Sequence, residues 1–482
     1  MNSIPATSPV TGLVSALTPA HLRFLEQLFP GEGLVTDPTQ MAVYGADSSR
    51  RAAMPWVVVR PRTETQIVEL LKWAEAEAVP LVPRARGTGM SGGAVPAFGG
   101  VVVSSLWLNR VLTIDADDFC AEVEPGVVTA DFQAQTQKQK LFYPPDPASL
   151  KISTLGGNVA TCAGGMRAVK YGVTRDYVLG VRAVLPGGKI VEAGGRTHKN
   201  VVGLDLTRLF VGSCGTLGIF TKLTLKLLPL PEGSATILVA FSSLRAALDG
   251  ARGVFRAGIL PTAMEFLDAK ACWAIGQLKD VPWPTASGGS EGAATQAVLV
   301  LKVDGSRAAL AADLERLEAA LAPAGPLCLF KGLGAAEEEP LWELRRLVSP
   351  AGFRLGPDKL GEDVAVPRGS TVQAVEGYQA IGAEQGVQVA CYGHLGDGNI
   401  HVNIFYDAAD ENQRARAQAC KEAVFRLTLS LGGTLSGEHG TGITKGPYVS
   451  WQLGEQERAL MAGIKKVFDP LGILNPGKGW TA

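Results

Sequence analysis

The chain has 482 residues, of which 46% are hydrophobic and 19% charged; that length exceeds one compact core, and that balance is that of a globular protein of two or three domains. Lysine plus arginine (45) nearly cancel aspartate plus glutamate (46), so no long-range field exists to draw in nucleic acid or an anionic membrane. An acidic substrate must be caught by local positive charge.

The first amphipathic stretch is LTPAHLRFLEQLF, where Thr18 caps a helix and Pro19 takes its first turn. From Pro55, PWVVVRP reads as a strand, TETQIVELLKWAEAEA as a helix with a capping threonine, and VPLVPRA as a second strand. Short strands divided by glycine follow: VVVSSLWL, VLTIDA, CAEVEPGVV, YVLGVRAVLPGGKIVEAG and IFTKLTLKLLPLP, with turn signals at EPG (124–126) and Pro186-Gly187. The proline-rich LLPLPEG around residue 230 marks a boundary. Beyond it, TILVAFSSLRAALDGARGVFRAGILPTAMEFLD, QAVLVLKVDG and DLERLEAALAP keep the rhythm of an α+β domain. The stretch WPTASGGSEGAAT, roughly 284–295, reads as a surface loop or disordered insertion. The end holds a polar helix, EQERALMAGIKKVFDP, and the turn NPGKGW.

Seven cysteines, at 120, 162, 214, 272, 328, 391 and 420, show no CxxC spacing and an odd total. That pattern suits reduced thiols in a cytoplasm, and it offers neither an iron–sulfur set nor a haem attachment site. The opening MNSIPATSPVTGLVSALTP lacks a basic region followed by an apolar run, and nowhere do 18 apolar residues run together, so no signal peptide or transmembrane segment is expected.

The first chemical motif is Pro83-Arg-Ala-Arg-Gly-Thr-Gly-Met-Ser-Gly-Gly93. Its glycines let the backbone turn tightly and aim several N–H groups at one anion, such as a pyrophosphate, although a flexible surface turn would read the same way. It is followed by Pro144-Pro-Asp-Pro-Ala-Ser-Leu, by Thr154-Leu-Gly-Gly-Asn-Val-Ala-Thr-Cys-Ala-Gly-Gly-Met166 and by Lys170-Tyr-Gly-Val-Thr-Arg-Asp-Tyr177. With Leu209-Phe-Val-Gly-Ser-Cys-Gly-Thr-Leu-Gly-Ile219, these segments resemble the flavin domain of the vanillyl-alcohol oxidase and para-cresol methylhydroxylase superfamily. Within it, the chain is most similar to the D-2-hydroxyacid dehydrogenase branch, which includes D-lactate dehydrogenases, glycolate oxidase flavin subunits and D-2-hydroxyglutarate dehydrogenases.

The resemblance implies an α+β fold: a two-subdomain FAD-binding domain and a substrate (cap) domain of antiparallel sheet and helices. The expected division is 1–50 (an N-terminal helical segment), 51–231 (FAD), 232–440 (cap, carrying metal and base) and 441–482, which returns to the FAD domain. It assigns FAD contacts to Arg84, Ala85, Arg86, Gly87, Thr88, Gly89, Ser91 and Gly92 around the pyrophosphate. Pro144, Ser149, Gly156, Gly157, Asn158, Thr161, Gly164, Gly165, Tyr171, Gly172, Gly218, Ile219 and Asn475 complete the set. Residues 83–93 hold no His or Cys, so the flavin is expected to bind noncovalently. Cys162 and Cys214 stand where the family usually has asparagine and glutamate; each reads as a small buried thiol.

Three of the five histidines lie in GHLGDGNIH, from Gly393, and SGEHGTG, from Ser436. His394 and His401 must be joined by a turn feeding the strand IHVNIFY, whose alternation sends His401, Asn403 and Phe405 to one side. Taken singly, each histidine is as well explained as an ordinary polar residue. The joint pattern is similar to the family branch, which implies His394, His401 and Glu438 as ligands of zinc or manganese and His439 as base. An imidazole titrates near neutrality, which suits it to take a hydroxyl proton. Arg345, in LWELRRL, matches the family arginine that grips the substrate carboxylate. Gly361 stands where hydroxyglutarate members carry a lysine, two residues before Asp363, which favours a short monocarboxylate; Lys359 is close by.

The expectation is an FAD-dependent dehydrogenase, with His439, Arg345 and Asn403 acting on a D-2-hydroxyacid such as D-lactate. Electrons would go to an external acceptor: a quinone, an electron-transfer flavoprotein or a cytochrome. Glycolate or D-2-hydroxyglutarate as substrate, an oxidase, and an inactive assembly subunit are the alternatives. A homodimer and peripheral attachment at an inner membrane are compatible with it.

Overall fold

A computed structural model describes residues 10–278 and 295–479. Two compact units result. Among the described residues the first runs to 164, resumes over 173–230 and takes everything from 438 onward; the second holds 165–172 and 231–437. The unit edges fall at 230/231 and 437/438, and residues 10–50 join the first unit in place of standing as a separate segment.

The reason lies in packing. Helix Pro19–Leu28, with the Thr18 side chain accepting from the His21 amide, buries Leu25, and Phe29 follows it into the same core as Val57, Ile67, Leu70, Leu81 and Val101. Each such side chain contributes roughly 1.5–3 kcal/mol when fully buried. Strands Val57–Val59 and Leu81–Arg84 both pair in parallel with Val101–Ser104, joined by the crossover helix Glu64–Ala76. Beside them an antiparallel sheet runs in the order Val111–Asp115, Cys120–Val123, Ile219–Lys226, Val178–Val184, Ile190–Gly194. The C-terminal segment returns: Leu81 N–H donates to Ile473 O, and Asn475 N–H donates to Leu81 O.

Among the described residues the second unit is built on seven strands in the order Cys328–Leu333, Gly233–Phe241, Ala297–Gly305, Ala263–Leu267, Gln388–His394, Asn399–Tyr406, Asp358–Ala365. Every neighbouring pair is antiparallel. One face, with Leu238, Ala263, Leu267, Val300 and Tyr392, packs on Cys272 and Ile275 of helix Ala269–Gly276 and on Trp342 and Val348 of helix Ala335–Ala351. Glu265 falls between Ala263 and Leu267 in the same alternation. Residues 165–172 belong here because Lys170 Nζ and the Tyr171 hydroxyl both donate to the Asp304 carboxylate, at 2.5 and 2.9 Å. Apart from Thr295, the stretch WPTASGGSEGAAT lies outside the described residues. No described helix is long and apolar enough to cross a membrane.

Candidate active site

The first unit contains a cavity rich in glycine and alanine. Its wall includes Arg84, Ala85, Gly87, Thr88, Gly89, Ser91, Ser149, Gly156, Gly157, Asn158, Thr161, Gly164, Gly218 and Ile219, together with Gly93, Cys214, Glu438 and His439. Several glycines here are required by close approach. A Cβ on Gly156 would lie 2.4 Å from Pro125 Cβ, and one on Gly87, whose φ is +69°, would meet the Arg84 guanidinium at 2.2 Å. At Gly93 a Cβ would meet no protein atom within 4 Å, so its backbone fronts open space.

Arg84, in the wall of the cavity, is also tied to the protein itself. Arg84 is buried and donates to the carbonyls of Val43 and Ala94, so its guanidinium braces the loop from beneath; burial pushes its pKa down. Arg86, Gly92, Pro144 and Asn475 are outside the lining residues. Asn475 instead joins two of the walls, its Nδ2 donating to Gly93 O at 2.9 Å and to Cys214 O at 2.7 Å. Its Oδ1 is buried with no hydrogen-bond partner among the described residues, an acceptor awaiting a donor beside the cavity. That orphan and the open space at Gly93, in a cavity walled by glycines, fit a flavin nucleotide.

Cys162 and Cys214 both adopt left-handed backbone, with φ of +53° and +52°. Asparagine tolerates that region and cysteine does so less well. Burial pushes the Cys214 thiol up to about 11, which keeps it protonated at neutral pH and removes it as a nucleophile.

Glu438 and His439 reach the cavity because residues 439–444 dock on the glycine loop. Ser91 Oγ donates to His439 O at 3.0 Å, and the amides of Ile443 and Thr444 donate to Ser91 O. Gly442 is obligatory there: φ is +48°, and a Cβ would lie 2.1 Å from Ser91 O. Gly164 is bare for a related reason, since its Cβ would lie 2.7 Å from Glu438 Oε2.

The second unit gathers its own polar cluster. Strand register sets Glu265 opposite His394, Tyr392 opposite His401 and His401 opposite Asp363. His394 Nδ1 donates to Glu265 Oε1 at 2.6 Å, while Arg345 Nε and Nη2 donate to Glu265 Oε2 at 2.8 and 2.7 Å. Burial opposes ionisation of Glu265, but the charges of His394 and Arg345 outweigh it and hold the carboxyl below its usual range. The His394 and His401 rings stand nearly perpendicular with centroids 5.1 Å apart. His401 Nδ1 is 3.9 Å from Asp363 Oδ1, and Asp363 accepts from Asn399 Nδ2 and Ser436 Oγ. Two imidazoles, each backed by a buried carboxylate, are a donor set suited to zinc or manganese.

Asn399–Tyr406 pairs residue by residue with its neighbours, which puts Val402 and Ile404 on the face opposite His401 and Asn403, and Asn403 lies beside Gly361, whose Cβ would sit 3.5 Å from Asn403 Oδ1. Gly165, Tyr171 and Gly172, expected at the flavin, group with the second unit, where Asp304 holds the Tyr171 hydroxyl. Of the expected metal set, His394 and His401 adjoin in the second unit, and Glu438, with the base His439, lines the cavity of the first. Arg345, expected to grip a substrate, has two of its five N–H donors on Glu265. Sequence reasoning missed Glu265 altogether. The available signal was the lone acid in the apolar run AMEFL, which strand alternation buries and which therefore requires cationic partners.

Residues 55–194 match the FAD binding domain family, and residues 230–479 match the family described as FAD linked oxidases, C-terminal domain. The chain is 38% identical to glycolate oxidase subunit GlcD of Bacillus subtilis (strain 168), over 90% of this chain and 91% of that one. It is 33% identical to the D-lactate dehydrogenase of Anaerostipes hadrus, over 96% and 97% of the two chains, and 33% identical to the D-2-hydroxyglutarate dehydrogenase of Stutzerimonas stutzeri (strain A1501), over 96% and 99%. The structure of p-cresol methylhydroxylase with substrate bound shares the fold at a TM-score of 0.78, with 17% identity, 97% of this chain and 98% of that chain covered. The protein is thus a flavin-dependent oxidoreductase that belongs to the FAD-linked oxidase family, on the fold of the vanillyl-alcohol oxidase and p-cresol methylhydroxylase superfamily.

Proposed function

We propose that this chain oxidises a D-2-hydroxyacid to the 2-oxoacid, best a short monocarboxylate such as D-lactate, and hands the electrons to an external acceptor. The observation that carries the reading is that His439 and Glu438 line the same cavity as the glycine loops assigned to the flavin. Relatives matched over most of their length are named for glycolate, D-lactate and D-2-hydroxyglutarate, all 2-hydroxyacids.

When bound, FAD supplies a two-electron acceptor, and a divalent ion held by His394, His401 and Glu438 supplies Lewis acidity toward the hydroxyl. His439 takes the hydroxyl proton as the α C–H bond breaks. Arg345 grips the carboxylate with the donors that Glu265 leaves over, and Asn403 adds a neutral amide on the His401 face. Because Gly361 brings no cation, a one-carboxylate substrate is favoured. A second reading, a dicarboxylate, is supported by Lys359, whose Cε lies 4.0 Å from where a Gly361 Cβ would stand and whose Nζ donates to Ser349 Oγ at 3.0 Å.

The test is dye reduction by the purified yellow protein across D- and L-lactate, glycolate and D-2-hydroxyglutarate, with and without chelator. Preference for D-lactate and loss with chelator are expected; equal use of both enantiomers would overturn the assignment.

A further inference from the structure

We propose that Glu265 is a positioning residue serving two parts of the site at once: one carboxylate oxygen fixes His394 as a metal ligand, and the other fixes Arg345 as the cation for the substrate carboxylate. The inference rests on the preceding assignment of His394 as a ligand and deepens it.

Four observations support it. Glu265 is 0% exposed, and its oxygens are divided between the two partners, Oε1 to His394 and Oε2 to Arg345. A buried carboxylate must be paired, and here both pairings are charge-capable and short. Glu265 and His394 are directly opposed across adjacent strands, so their contact is set by sheet register and not by a loop. Arg345 comes from helix Ala335–Ala351 and lies over the Tyr392 ring, 5.1 Å from its centroid, which fixes the guanidinium plane.

The chemistry follows from donor and acceptor counting. An ionised carboxylate only accepts, so the hydrogen of the His394–Glu265 bond is on Nδ1, and in the neutral ring the lone pair is on Nε2, on the opposite side. That is the tautomer a metal ligand needs, with the orientation a carboxylate behind the ring provides. Arg345 docks its Nε–Nη2 edge and keeps Nη1 for another anion. A glutamine at 265 could satisfy one partner, but its amide nitrogen would then face a donor of the other.

The experiment compares FAD-loaded parent and Glu265→Gln by zinc competition against a chromophoric chelator, with flavin content as the measure of folding. The parent should bind zinc, and the variant should bind it about 10- to 100-fold more weakly with flavin content unchanged. Excess zinc should restore kcat in the variant and leave the KM for the hydroxyacid raised, a split that a general folding defect would not produce. Parent-like zinc affinity and KM in the variant would overturn the inference alone; a parent that binds no divalent ion would overturn the metal reading and the inference with it. Should the variant not fold, histidine nitrogen NMR of the metal-free parent decides the matter. His394 is expected with a proton on Nδ1 shared with Glu265, and a neutral ring protonated on Nε2 instead would overturn the proposal.

Discussion

Asn475 offers a quantitative test of how the cavity is held together. Its amide nitrogen donates to Gly93 O and Cys214 O, on two walls of the cavity, and its backbone sits at φ +44°. Asn475→Gly removes both bonds and leaves the backbone unstrained. At about 0.5–1.5 kcal/mol net for each bond, the loss is about 1–3 kcal/mol. Asn475→Ala removes the same bonds and adds a left-handed penalty of about 1 kcal/mol. Asn475→Asp keeps size and backbone tolerance but sets a carboxylate against two carbonyl oxygens, so it should be the most damaging of the three. Urea denaturation followed by flavin fluorescence and circular dichroism should rank the variants Gly, Ala, Asp in rising cost, with flavin affinity falling in the same order. An aspartate variant as stable as the parent, or alanine equal to glycine, would show that Asn475 does not hold the two walls together.

His439→Ala should keep its flavin and lose about 10²- to 10⁴-fold in turnover, the usual range for a lost general base; flavin reduction at the parent's rate would remove His439 from that role. Gly442→Ala, whose Cβ would lie 2.1 Å from Ser91 O, should loosen residues 439–444, destabilise by about 1–3 kcal/mol and lower turnover, read by thermal unfolding and dye assay. Burial lowers the Lys478 pKa to about 8 from 10.5. Between those values the unfolded chain binds more protons than the folded one, so folding gains stability as pH rises through this window. Relative to Lys478→Met, the parent should therefore gain roughly 3 kcal/mol from pH 8 to 10.5 in urea melts, at about 1.4 kcal/mol per pKa unit; a flat difference would count against it.

Features encoded locally were legible from the sequence. Thr18 before Pro19 caps a helix as its chemistry demands, the edge between the compact units at 230/231 falls in the proline-rich stretch, and IHVNIFY lies within one continuously paired strand. What was not legible depends on partners distant in sequence. Tyr171 sits in a glycine-rich stretch that resembles flavin loops, yet its hydroxyl is held by Asp304, 133 residues later. Arg345 carried the look of a free cation, and Glu265, 80 residues earlier, takes two of its donors. Nor does the glycine motif announce that Arg84 donates to the carbonyls of Val43 and Ala94. Periodicity cannot report such pairings, because each is set by sheet register or by the path of a loop.

Oxidation of a D-2-hydroxyacid by the bound flavin is read by mixing the oxidised, FAD-loaded protein with D-lactate under anaerobic conditions and following flavin absorbance in a stopped-flow instrument, before and after metal stripping. Rapid bleaching by the D enantiomer alone, abolished by stripping and recovered with zinc or manganese, is the predicted result. Bleaching that is indifferent to enantiomer and to metal, or no bleaching by any 2-hydroxyacid, would contradict it.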